Sequence, residues 1–256
     1  MSVTGHRDVR HPDDFYETPA WCVRALLPYL QRGDVLDPCC GNGAIGRVLA
    51  EEWSRFNRYG IEINEGRYLE AAASTVLHKR DGVDVVSRTF DNVTHEDYLA
   101  LPSVARIPLI VTNPPFKLAL EFATKALKEA DTVAFLLRLN WLASETRRKF
   151  HEANPCDLIV MPRRPSFAQF CSCGKSPNCG WKATLPASEP RPSHCNCGGP
   201  IKVSTTDSTE YAWFVWGPGR GNRYEIAGNR FAIDWAQVKR EVAIADKALD
   251  DAAEGA

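Results

Sequence analysis

The sequence predicts an α/β fold, a mostly parallel sheet with helices on both faces. Two observations carry that prediction. Short apolar, β-rich runs alternate with stretches of helical period along the 256 residues, the pattern of strand–helix–strand units. Two of those runs also end in loops built for ligands. Leu109-Ile110-Val111-Thr112 is a buried strand stopped by Asn113-Pro114-Pro115-Phe116, and Asp34 to Asp37 runs into a turn bearing Gly41 and Gly43.

The elements follow in order. Pro19 to Leu30 is amphipathic, with Pro at the first turn and Thr18 as its cap. A strand ending at Asp37 precedes a helix from Ala44 to Trp53. The second strand, Arg58 to Ile63, presents Glu62 at its end, and an Ala-rich helix covers Gly66 to Leu77. The third strand has no clear sequence boundary; Asp97 lies just beyond it. After the proline loop, Leu118 to Ala130 carries apolar residues at helical spacing and Thr132 to Leu139 is a buried strand. Ser144 to Ala153 is a basic helix, Asp157 to Met161 and Tyr211 to Trp216 are strands, and residues 233–256 form a peripheral charged helix.

Composition narrows the class. No stretch reaches the length of a membrane span, and the polar beginning does not read as a secretion signal, so a cytoplasmic location is expected. Five of the nine cysteines crowd into residues 168–203, where Cys171-Ser172-Cys173-Gly174, Cys179-Gly180 and His194-Cys195-Asn196-Cys197-Gly198 stand. Two C-x-C-G knuckles resemble a zinc ribbon, because zinc takes four tetrahedral sulfur or nitrogen ligands and Gly after Cys lets backbone turn toward the ion. Cys173, Cys179, Cys195 and Cys197 are the favoured ligands, with Cys171 and His194 as rivals; reduced surface thiols or a disulfide are the alternative. The chain has a net charge of −1, yet Arg138 to Val203 holds ten Lys/Arg and four Asp/Glu. That basic stretch suits a phosphate backbone, with Arg163, Arg164, Lys175 and Lys182 as candidate contacts, against the alternative of a solvated charged face.

The proline loop offers hydrogen-bond acceptors beside an aromatic plate, which suits a planar group bearing an exocyclic amine. Asp37-Pro38-Cys39-Cys40-Gly41-Asn42-Gly43, Glu62, Asp97 and Asn113-Pro114-Pro115-Phe116, in this order, resemble the class I S-adenosylmethionine-dependent amino-methyltransferases. The nearest resemblance is to the compact N6-adenine DNA methyltransferases of bacteriophages. Phe15-Tyr16-Glu17-Thr18-Pro19 resembles their first cofactor motif; Arg163 to Phe167 and Thr209 to Trp216 resemble later segments.

The resemblance implies a single Rossmann-like domain over residues 1–256 with a seven-stranded sheet, interrupted by the 168–203 insertion, in a bacterial or phage-infected host cell. It implies that Thr18, Asp37, Cys39, Gly41, Gly43, Glu62, Asp97 and Asn113 hold S-adenosylmethionine. Asn113 and the Pro114 carbonyl would accept from the adenine amine, Pro115 would stiffen the loop, and Phe116 would stack on a base flipped from double-stranded DNA. Asp37 as a turn cap, Glu62 as a solvated strand end and Asp97 as a helix cap are the plainer readings. Methyl transfer to RNA adenine or to a protein glutamine amide, and a non-catalytic zinc-stabilised nucleic-acid-binding module, stand as alternatives.

Overall fold

The computed structural model describes residues 17–234 apart from 81, 104, 166–167, 174–181, 187–192, 195–196, 198, 205–208, 222, 228–231 and some side chains between 168 and 208 and at 80 and 232–234. Its centre is a nine-stranded sheet. The strands are β1 (Val35–Asp37), β2 (Arg58–Glu62), β5 (Asn92–His95), β6 (Ile107–Thr112), β7 (Ala130–Arg138), β8 (Asp157–Val160), β12 (Tyr211–Trp216), β13 (Arg223–Ile226) and β14 (Ala232–Asp234). They lie in the order β14-β13-β8-β12-β7-β6-β1-β2-β5. Five neighbours, β5-β2-β1-β6-β7, are parallel, while β12 runs antiparallel to both β7 and β8. The Rossmann-like expectation holds, with two more strands than the expected seven.

Among the described residues five helices flank these strands: α1 (Ala20–Leu26), α2 (Ala44–Glu52), α3 (Glu65–Ala73), α4 (Ala119–Glu129) and α5 (Glu145–Ala153). Alternation along β12 shows how the sheet is covered. Tyr211, Trp213 and Val215 face a core that includes Cys22 and Leu26 of α1 and Val48 and Leu49 of α2. Ala212, Phe214 and Trp216 face the opposite core with Phe122, Ala123 and Ala126 of α4. All six residues of β12 are buried, as a strand covered on both faces requires.

Several boundaries differ from the sequence reading. Pro28 ends α1 early, and Leu27–Tyr29 forms a 3-10 turn. Thr18 caps nothing; Pro19 holds the N-cap position without a side-chain bond. The Ala-rich helix stops at Ala73, where β-branched Thr75 and Val76 begin β3 (Thr75–Arg80). That strand pairs antiparallel with β4 (Val83–Arg88) as a separate hairpin. Ile233 and Asp234, assigned to the terminal helix, are in β14; residues 235–256 lie outside the described ones. Within the insertion, β9 (Ala168–Cys173) is the middle strand of a three-stranded antiparallel sheet with β10 (Lys182–Pro186) and β11 (Ile201–Ser204). Among the described residues no helix is long and apolar enough to cross a membrane.

Candidate active site

Chain order turns around at β1: β2 lies on one side and β6 on the other. Ligands of such sheets bind in the crevice beyond the carboxyl ends of the strands at this switch. A cavity of about 190 Å³ lies there. Its wall includes Thr18, Asp37, Cys39, Gly41, Glu62, Asp97, Asn113, Pro114 and Pro115. Seven of the eight residues expected to hold the cofactor therefore meet at one place.

Asp37 ends β1 and is only 1% exposed. Its Oδ1 accepts from Thr112 Oγ1 at 2.6 Å and from the Cys39 N–H at 3.3 Å. Burial, with a contribution from the Glu62 charge, raises its pKa to about 7. Cys39 Sγ lies 2.8 Å from Thr112 Oγ1, and burial beside Asp37 lifts its thiol well above the ordinary range. A thiolate nucleophile is thereby disfavoured.

Glu62 ends β2 and is 4% exposed. One carboxylate oxygen accepts from the Gly41 N–H at 2.8 Å and the other from the Asn64 N–H at 2.9 Å. The acid thus ties the glycine turn to the next strand, and each oxygen retains capacity for a ligand hydroxyl. Gly41 turns with φ of 55°. Gly43 does not line the cavity. It starts α2 at φ of 88°, and an added Cβ would stand 3.3 Å from Phe90. Its contribution is the turn itself.

Asp97 follows β5; its Oδ1 accepts from the Leu99 N–H at 2.9 Å, so it caps a local turn while lining the cavity. Asn113 follows β6, and its Nδ2 donates to Thr18 Oγ1 at 3.0 Å. That bond joins the chain's early segment to the proline loop and orients the amide. Phe116 lies outside the cavity wall, packed against both cores and tilted 46° to Tyr211 at 6.0 Å between ring centres. The expected stacking plate is therefore half-buried against Tyr211 rather than on the cavity wall.

The sequence reading missed Tyr98 and Arg67, which also line the cavity. Tyr98 follows Asp97, and its hydroxyl donates to the buried Glu129 at 2.7 Å. Arg67 lies one helical turn beyond Asn64, which caps α3, and reaches to 3.9 Å from Glu62. Of the expected nucleic-acid contacts, Arg163 lies over the Trp21 ring at 4.5 Å and Arg164 pairs with Glu210 at 2.6 Å. Lys175 lies outside the described residues, as does the side chain of Lys182.

These features suit S-adenosylmethionine. A buried carboxylate opposite a glycine turn suits an ammonium, and acids at the ends of β2 and β5 suit ribose hydroxyls and an adenine amine. The comparison with known families agrees. Residues 22–134 match the methyltransferase small domain. That match covers a little under half of the chain, which has a Rossmann-like fold.

No curated protein sequence matches it. Similar solved structures include a methyltransferase from Pyrococcus furiosus (10% identity, 78% of this chain and 83% of that one, TM-score 0.45). An S-adenosylmethionine-dependent O-methyltransferase from Thermotoga maritima is another (14%, 84% and 68%, TM-score 0.45). A third is the 23S rRNA methyltransferase ErmE (12%, 81% and 71%, TM-score 0.45).

Proposed function

We propose that the chain is an S-adenosylmethionine-dependent methyltransferase that modifies the exocyclic N6 of adenine in DNA. The observation supporting this is the convergence of Asn113, Pro114 and Pro115 on the cavity walled by Asp37, Glu62 and Asp97. S-adenosylmethionine supplies the methyl group, carried on a sulfonium. Asp37 holds the ammonium of its methionine part, Glu62 the ribose hydroxyls and Asp97 the adenine amine.

An adenine amine is a poor nucleophile because its lone pair is delocalised into the ring. Asn113 donates Nδ2 to Thr18, so its Oδ1 is the side-chain atom suited to accept an N–H of the substrate amine, with the Pro114 carbonyl accepting the other. Two fixed acceptors stabilise positive charge as it develops on nitrogen. The amine loses its proton after transfer, so no general base is required. A duplex target must present its adenine extruded from the stack. Labelled methyl transfer to unmethylated DNA and to RNA, followed by nucleoside analysis, tests the assignment. N6-methyladenine from DNA supports it; methylcytosine alone, or product from RNA alone, rejects it.

The insertion is proposed to bind structural zinc. Strand register supports this: Cys173 ends β9 opposite Ile201, which opens β11 four residues after Cys197. Cys179 lies between β9 and β10 in sequence, and β10 opens at Lys182 opposite Ser172, so the end of β9 and the starts of β10 and β11 share one edge of this sheet. Cys179 and Cys195 lie outside the described residues, as do the side chains of Cys171 and Cys173. Among the described residues there is no group of three or more His, Cys, Asp or Glu placed to hold a metal. Elemental analysis of the purified chain is expected to give stoichiometric zinc, lost in the Cys173→Ser variant; metal-free protein with unchanged folding rejects the assignment.

A further inference from the structure

Arg138 ends β7, the strand beside β6, on the same edge of the sheet as Asn113. Its guanidinium carbon lies 5.0 Å from the centre of the Phe116 ring. Its Nε donates to the Tyr211 hydroxyl at 3.1 Å, and Tyr211 is its register partner across β7 and β12. Tyr211 is 1% exposed and its ring packs beside Phe116. Cation, phenol and phenyl ring thus close a triangle. Two corners belong to the sheet, and the third is the last residue of the Asn-Pro-Pro-Phe loop.

The loop needs such an anchor. Proline fixes φ within Pro114 and Pro115 but does not fix how the whole loop leans over the cavity. Thr18 holds one end through Asn113, and the Leu118 N–H bonds the Pro115 carbonyl at 2.9 Å. The Arg138–Tyr211 pair ties that ring to the rigid sheet. A planar guanidinium suits this double contact, since it covers a ring face while its Nε–H remains available in the ring plane.

We infer that Arg138 is a positioning residue for methyl transfer. By fixing Phe116 against Tyr211 it sets where the Asn113 amide and the Pro114 carbonyl point. It does not line the cavity and acts through the loop. The inference rests on the reading of that loop as the amine-binding element, so its test carries an arm that needs no acceptor.

The test compares the full-length parent with Arg138→Ala, Arg138→Lys and Tyr211→Phe. Amide hydrogen exchange over Phe116–Leu118 is followed beside single-turnover methyl transfer to unmethylated DNA at saturating cofactor. Arg138→Ala is expected to exchange roughly tenfold faster at these amides, with the interiors of β6 and β7 unchanged. Its transfer rate is expected to fall on the order of a hundredfold, the scale of a displacement near 1 Å, at unaltered cofactor and DNA affinity. Arg138→Lys should behave like the alanine variant because it lacks the planar fork. Tyr211→Phe should shift both readouts the same way by a smaller factor.

Unchanged exchange in Arg138→Ala overturns the inference. So does full activity in Arg138→Lys, which would make charge alone sufficient, or a loss confined to DNA affinity. If the parent forms no N6-methyladenine, the DNA reading fails, and the exchange arm still decides the role of Arg138.

Discussion

Replacing Asp37 by Asn should make the ligand-free protein more stable and the enzyme useless, and the size of the gain should depend on pH. The carboxyl group has a folded pKa of about 7, against 3.8 for the ordinary side chain. About three units at 1.36 kcal/mol each give an upper bound near 4 kcal/mol. The sign follows from proton counts. Between roughly pH 4 and 7 the folded state holds a proton that the unfolded chain has lost. Asp37 therefore reduces stability progressively as pH rises through that window, and the full penalty is present above pH 7.

Asparagine keeps an acceptor for Thr112 and the Cys39 N–H but carries no charge. Melting curves without cofactor at pH 5 and pH 8 measure the effect. At pH 8 the variant should melt higher by at most about 8–16 °C, at roughly 2–4 °C per kcal/mol for a chain of this size. At pH 5, where the parent is already protonated, most of the difference should vanish. Cofactor affinity should move oppositely. In the parent it should weaken about tenfold per unit below pH 7 if the ammonium requires the carboxylate, and in the variant it should be weak throughout. A stability difference that is the same at both pH values would refute the assignment of a buried, protonated Asp37.

Asn113→Ala should cut methyl transfer by roughly 10²–10³, the cost of removing one fixed group aimed at developing charge, while cofactor affinity measured by calorimetry stays near the parental value. Gly46→Ala should destabilise by about 1–3 kcal/mol in chemical denaturation, because the new Cβ would stand 2.4 Å from the Phe90 ring; adding Phe90→Leu should recover part of the loss. Tyr98→Phe removes the hydroxyl that donates to Glu129, an acid only 1% exposed, and should lower stability by about 1–3 kcal/mol in the same assay. A loss below about 0.5 kcal/mol would show that Lys125, 3.7 Å from Glu129, satisfies the acid without Tyr98.

Much of this architecture was legible because the informative residues sit at strand ends. Asp37, Glu62 and Asn113 each follow an apolar run, and a parallel sheet brings such ends to one edge without any knowledge of side-chain packing. The β3–β4 hairpin was missed although the Asp-Gly pair at 81–82 of the sequence is a strong hairpin signal. Three consecutive alanines drew the α3 assignment past Ser74 and hid the change of period from 3.6 to 2. Strand β9 escaped because Cys171 and Cys173 were read as ligands alone, while the register shows that both also pair in a sheet with β10 or β11.

The part of the site that resisted sequence reading is held by contacts between distant residues of no shared period. Thr18 meets Asn113 across 95 positions, and Arg138 meets Tyr211 across 73. Neither pair can be recognised from local spacing, since each depends on the order β12-β7-β6-β1 that only the folded sheet reveals. Phe116 shows the consequence. From its motif it is a plate for the substrate; in the fold its ring bridges two cores and lies beneath a guanidinium. If it stacks on a base, it must leave that position, and the Arg138–Tyr211 pair then governs how readily it does so. Base-stacking fluorescence from 2-aminopurine placed at the target adenine would report that exchange. Quenching that persists in Phe116→Leu would show that another residue receives the base and that Phe116 serves the loop alone.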